Sequence, residues 1–166
     1  MGSGGGSILY RATVMLASAA TLVGLAGCNK PAATAGSFAG YQVEWLSHNV
    51  PSVMQAGADE TVSATFKNAS QVTWPSRSAT ANSANVVVVS YHWFSGDGSQ
   101  LITWEGKRTP LPKDVIPGET VTVDQITVAS PREPGSYRLA LTLLNELVGW
   151  FDQNGAPTQV VPVTVQ

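Results

Sequence analysis

The sequence predicts an all-β domain built as a sandwich of two sheets, and three observations carry that expectation. From Tyr41 onward no apolar period of 3.6 residues runs for more than a turn or two, which leaves no room for amphipathic helices. Short runs rich in Val, Thr, Tyr and Trp recur instead, about seven to nine of them, either alternating or apolar on both faces. Turns bearing Gly and Pro separate the runs at regular spacing, the pattern of antiparallel strands in two packed layers.

The runs can be taken in order. Residues 42–46 make a first strand, interrupted at Val50-Pro51. Residues 61–68 alternate, with Val62, Ala64 and Phe66 on one face and Ser63, Thr65 and Lys67 on the other. Asn68-Ala69-Ser70 then turns the chain, and its match to a glycosylation sequon carries no sugar if the chain is bacterial. Trp74-Pro75 begins an irregular stretch rich in Ser, Ala and Asn that ends at Asn85. The strongest hairpin signal follows. Residues 86–94 are apolar on both faces at their start, as a central strand is. Gly96-Asp97-Gly98 turns the chain, and residues 100–104 return. Pro110, Pro112 and Pro117-Gly118 punctuate the next link. Residues 120–128 alternate through Val121 and Val123 and then change phase to Ile126 and Val128, which predicts a bulge near Asp124-Gln125. After a corner at Pro131, Pro134 and Gly135, one long strand places Tyr137, Leu139, Leu141 and Leu143 on a single face. Residues 148–151, a turn at 152–155 and residues 158–165 close the domain.

Two details make the sandwich immunoglobulin-like. Trp93 stands where a core tryptophan on the third main strand belongs, and Pro134-Gly135-Ser136-Tyr137 has the arrangement of a tyrosine corner. Two residues after that tyrosine, where antibody domains place a disulfide cysteine, stands Leu139, so packing has to do the work of a crosslink.

The single cysteine belongs to a different argument. Residues 12–26 form a small, apolar, uncharged run preceded by one basic residue, Arg11, and ending at Leu25-Ala26-Gly27-Cys28. The run is short for a membrane span and suits the apolar region of a signal peptide. The four residues match a bacterial lipobox, in which Cys28 receives diacylglycerol on sulfur and becomes the new N-terminus. The expected organisation is a lipoprotein signal peptide over 1–27, a lipidated tether over 28–40 and the sandwich over 41–166. The tether is small and polar, and twelve such residues span about 20 Å root-mean-square. Asn29 rather than aspartate after the cysteine favours the outer membrane where one exists. The domain is thus expected to be lipid-anchored to the cell membrane or outer membrane and to face the periplasm or exterior.

A combination of motifs resembles a known module. Thr65-Phe66-Lys67-Asn68 leads to Thr73-Trp74-Pro75, Pro117-Gly118-Glu119 precedes a strand, and Pro134-Gly135-Ser136-Tyr137-Arg138-Leu139 follows Pro131. Over about residues 41–166 this resembles the four-tryptophan domain first described in an autophagy cargo receptor. Bacterial relatives found beside glycosyltransferases are closer. They share Tyr91-His92-Trp93 with the Gly96-Asp97-Gly98 turn, the segment 108–112, and Trp150-Phe151. The chain departs from the receptor version at two tryptophan positions, which align with Ala64 and Leu141. The resemblance implies a non-catalytic binding or accessory module.

Composition narrows the partners. A net charge of −2 gives no basic footprint for nucleic acid, and charged residues are only 12% of the chain. His48, His92, Glu105, Glu146 and Asp152 are scattered, and no serine sits in a nucleophile elbow, so neither an enzyme nor a cofactor is expected. Metal capture by His48, His92 and Met54 is a third reading without informative spacing. His92 is read first as a hydrogen-bonded packing residue, and Glu146, in an apolar setting, requires a cation such as Arg108 or Arg138. Trp93 and Trp74 belong to the core or its edge. Trp104, Trp150 and Phe151 lie beside turns, where they either cap the sandwich or bind a ligand. The expected function is a membrane-anchored binding or scaffold module of the bacterial envelope, with a protein partner favoured over an envelope polysaccharide.

Overall fold

Ten strands follow one another in the computed structural model, which describes residues 40–77 and 85–166. They are β1 (Val43–His48), β2 (Val53–Met54), β3 (Asp59–Asn68), β4 (Val87–Ser95), β5 (Leu101–Thr103), β6 (Thr109–Pro110), β7 (Thr120–Ala129), β8 (Gly135–Asn145), β9 (Gly149–Trp150) and β10 (Gln159–Val165). The expected signal peptide, Cys28 and the tether up to residue 39 lie outside the described residues.

Two sheets result. The smaller has the order β1-β3-β7, and the larger β2-β10-β8-β4-β5, with β6 also paired to β4 and β9 to β8. The pairs are antiparallel except that β2 runs parallel to β10. This is an immunoglobulin-like all-β sandwich. Three of the ten strands have only two residues, β2, β6 and β9, too short to announce themselves by alternation.

The alternation read from the sequence points the core residues inward. Val62, Ala64 and Phe66 of β3 and Val121, Val123, Ile126 and Val128 of β7 pack against Val87, Val89, Tyr91 and Trp93 of β4 and Leu139, Leu141 and Leu143 of β8. Ala64 and Leu141 are both core residues. The bulge lies where the phase changes: Ala64 pairs with Val123 but Val62 with Ile126, leaving one extra residue on β7 at Asp124-Gln125.

Both immunoglobulin-like details are present. Trp93 is fully buried, its indole N–H donates to Ala129 O at 2.9 Å, and its ring meets Tyr137 edge-on. Tyr137 Oη donates to Glu133 O at 2.9 Å, which closes the tyrosine corner. At the β4–β5 turn Asp97 accepts from the Ser95 hydroxyl and from the Ser99 amide and hydroxyl; these bonds favour its ionised form and bring its pKa down to about 2.

At the opposite end Asn68 is a buried clasp. Its side-chain amide donates to Val72 O and Val115 O, each at 2.8 Å, and its side-chain oxygen accepts from the Ser70 amide and hydroxyl. The sequon is therefore occupied by structure: both amide hydrogens that a glycan would compete for are already bonded.

Candidate binding surface

The even-numbered residues of β4 face away from the main core, where an antiparallel sheet normally meets water. Here that outer face is covered. Ser90 and His92 on β4, and Ala140 and Thr142 opposite them on β8, are buried. The cover comes from both sides. After β5 the chain folds back along β4, and Gly106 donates its amide to Tyr91 O at 3.0 Å while accepting the Ser90 hydroxyl at 3.2 Å. Only glycine permits this approach, because a Cβ at position 106 would lie 2.6 Å from Tyr91 O and from its ring. From the other side β9 and the 3₁₀ turn Asp152–Asn154 bring Trp150 and Asp152 over the same strand.

His92 is the hub. Trp104 stacks on its ring at 3.9 Å between centroids and 9° between planes, and Trp150 lies tilted at 4.6 Å. Its Nδ1 is hydrogen-bonded to the Trp104 carbonyl, and Nε2 faces Asp152 Oδ1 at 3.5 Å. Thr142 Oγ1 donates to the same carboxylate oxygen at 3.0 Å. Burial pushes the Asp152 carboxyl up, but the bond from His92, the His92 charge and the Thr142 bond outweigh it and hold the group below its ordinary value.

Hydroxyl, carboxylate and imidazole thus stand in a row. Each imidazole nitrogen is directed at a protein oxygen, one ring face is stacked on indole, and the threonine hydroxyl donates to the carboxylate instead of being activated by the imidazole. What the row does is fix Trp104 and Trp150 relative to the sheet.

The site residues expected from sequence part company here. Trp104 is half-buried at the rim of a second small core of Val86, Val88, Leu144 and Trp150, in which Trp150 itself is 7% exposed. Phe151 points the other way, into the main core, where its ring meets Tyr41 at 4.7 Å and Trp74 at 5.3 Å. Consecutive residues of β9 and its turn serve opposite faces, so Trp150 and Phe151 cannot share one surface. Glu146 has its cation: Arg108 Nε lies 3.1 Å from Oε1, whereas Arg138 donates to Gly96 O. His48, Met54 and His92 do not converge, since Met54 is in the main core with its sulfur accepting the Ser130 hydroxyl and His48 is exposed on β1.

Beside Trp104 the outer face carries apolar side chains on both sides of Arg138. Leu101 of β5 lies opposite the half-buried Phe94 of β4, Phe94 opposite Arg138 of β8, and Arg138 opposite Pro162 of β10. In the next row Val160 lies opposite Ala140, and Ala140 opposite His92. Leu101 and Val160 are exposed. Sequence reasoning missed this grouping because its members come from four strands and only the register aligns them.

No family model and no curated protein matches the chain. Among solved structures, it is similar to a β-glucosidase from Listeria innocua at 16% identity, over 75% of this chain and 16% of that one, with a TM-score of 0.44. The CARDB domain of a Pyrococcus furiosus protein is similar at 17% identity, over 75% and 92% of the two chains, with a TM-score of 0.42. A β-glucosidase from Erythrobacter marinus follows at 11%, 75%, 15% and 0.38. The chain spans about a sixth of the length of these glucosidases, and its fold assignment rests on its own strand order.

Proposed function

We propose that this protein is a lipid-anchored, non-catalytic binding module of the bacterial cell envelope, held by Cys28 and engaging a protein partner through the outer face of its larger sheet. One observation supports the reading: Leu101, Phe94, Trp104 and Val160 are apolar side chains on a sheet face stiffened by the His92–Asp152–Thr142 row, in which His92 and Thr142 are buried and Asp152 is half-buried. Rigid aromatic and aliphatic anchors on a preformed surface are what protein recognition requires. The resemblance to the four-tryptophan domain and its glycosyltransferase-associated relatives supports the same class of function, and it keeps an envelope polysaccharide as the alternative ligand.

Trp104 and Trp150 test the proposal because their burial differs. Trp104→Ala is expected to weaken capture of the partner from detergent-solubilised envelope about tenfold, with a smaller fall in melting temperature than Trp150→Ala because its ring is only half-buried. Trp150→Ala removes a buried ring and is expected to destabilise the domain by about 3 kcal/mol or more. Unchanged capture by Trp104→Ala and by Leu101→Arg would refute the surface, and a glycan array bound by the wild type but not by Trp104→Ala would replace the protein partner with a polysaccharide.

A further inference from the structure

We propose that the end of the sandwich where the N-terminal chain enters rests in the lipid surface, with Leu147 and Val148 inserted among the acyl chains; this rests on the Cys28 anchor proposed above. Among the described residues, four of the nine exposed large hydrophobic side chains share one end of the domain. Val72, Ile116, Leu147 and Val148 stand on three different connections, β3–β4, β6–β7 and β8–β9, yet all at one end of the domain. Register and two bridging bonds put them there: Val43 pairs with Asn68, Lys67 with Thr120 and Val87 with Asn145, and the Trp74 amide donates to Val115 O while the Val87 amide donates to Pro75 O, so the start of β1, the end of β3, the start of β7 and the end of β8 lie together. The Asn68 clasp ties the first two connections to each other.

The chain enters at this same end. Gly40 accepts the Trp74 indole N–H at 2.8 Å and lies against Val72, and the next residue, Tyr41, has its hydroxyl beside Gly149, at the foot of the hairpin that carries Leu147 and Val148. A lipid on Cys28 is separated from Gly40 by residues 29–39 alone, so this end is the one the anchor holds against the bilayer.

The hairpin is built to present an apolar tip. Leu147 has φ of 60°, a left-handed conformation that glycine or asparagine adopts with less strain, and it is 74% exposed; Val148 is 52% exposed. A strained backbone that displays a leucine to water points to an apolar counterpart. The carboxylates around the end have cationic neighbours that limit their repulsion from acidic headgroups: Glu44 with Lys67, Glu119 with Lys113 and Glu146 with Arg108. Two aliphatic side chains would hold a free domain weakly, but the anchor makes their insertion intramolecular, and a weak contact then suffices.

The test uses the full-length lipidated protein reconstituted into vesicles of phosphatidylethanolamine and phosphatidylglycerol. With the Cys28 sulfur consumed by lipid, Leu147→Cys or Val53→Cys supplies the reactive thiol for an environment-sensitive fluorophore; Val53, on β2, is also exposed but lies at the far end of the sandwich. The probe at 147 is expected to shift to the blue and to be quenched by doxyl-labelled lipid several-fold more than the probe at 53. In the wild type, amide exchange across residues 145–149 is expected to slow several-fold on vesicles, and this slowing is expected to be lost in a Leu147→Asp, Val148→Asp variant. Equal quenching at both positions, or no slowing in the wild type, overturns the insertion while leaving the anchor intact. A chain that fails to float with vesicles and carries no lipid on Cys28 overturns the anchor reading and the insertion with it.

Discussion

Trp93→Ala tests the architecture at its centre. The ring is 1% exposed, packs among Tyr137 and the inward residues of β4 and β8, and donates its indole N–H to Ala129 O at 2.9 Å. Truncation removes the buried apolar area, leaves a cavity that the two sheets can only partly close, and strips a donor from a carbonyl on β7. Comparable core substitutions cost about 3–5 kcal/mol, a large share of the 5–15 kcal/mol that holds a domain together. For a domain of this size each kcal/mol lowers the melting temperature by roughly 3–5 °C, so a fall of about 10–25 °C is expected. Trp93→Phe separates the contributions, since it keeps an aromatic ring and loses the hydrogen bond; it is expected to cost about half as much or less. Urea unfolding followed by circular dichroism provides the measurement, with an unchanged dependence on denaturant showing that the same surface is exposed. An alanine variant that melts within a few degrees of wild type would remove Trp93 from the core and with it the argument for the third main strand.

Three further outcomes follow from the same reasoning. Cys28→Ala is expected to abolish incorporation of a clickable fatty acid into the protein, and equal labelling of variant and wild type would rule out a lipobox. Asn68→Ala removes the amide that joins the carbonyls of Val72 and Val115, each left with one other donor, and the oxygen that accepts the Ser70 amide and hydroxyl, and is expected to cost about 2–4 kcal/mol by thermal or urea unfolding, with Asn68→Asp no milder. Asp152 has its pKa lowered from 3.8 in the folded protein, so its contribution to stability is complete above that value and disappears as pH falls through the lower, folded one. Wild type is therefore expected to lose stability over this acidic window more steeply than Asp152→Asn, and parallel pH profiles of the two melting temperatures would refute the role given to the carboxylate.

The strands legible in the sequence are those with room for a period of two to repeat. β3, β4, β7 and β8 each have nine residues or more, and the faces they turn to the main core are those read from the chain, down to the extra residue at Asp124-Gln125. A two-residue strand such as β9 has no period, which is why Trp150 and Phe151 read as one aromatic pair although they belong to different cores. The outer face of β4 was illegible for another reason. Its apolar start reads as that of a central strand, and β4 is central, but the burial of His92 depends on what folds over it. That cover comes from Trp104, 12 residues away, and from Asp152, 60 residues away, and no local pattern couples them.

The same coupling suits the outer face to the binding role proposed for it. Burying an imidazole and a carboxylate against apolar rings is costly unless every polar atom finds a partner. Here the partners come from β4, β8, the return segment after β5 and the 3₁₀ turn at once. Shifting any one of these would orphan a buried group, so they hold one arrangement. Trp104 is thus fixed on two counts, by its carbonyl and by its stacked ring, and the apolar side chains beside it inherit that rigidity from the sheet. On the proposed reading, a partner meeting this face would order little on binding, which lowers the entropic cost of association.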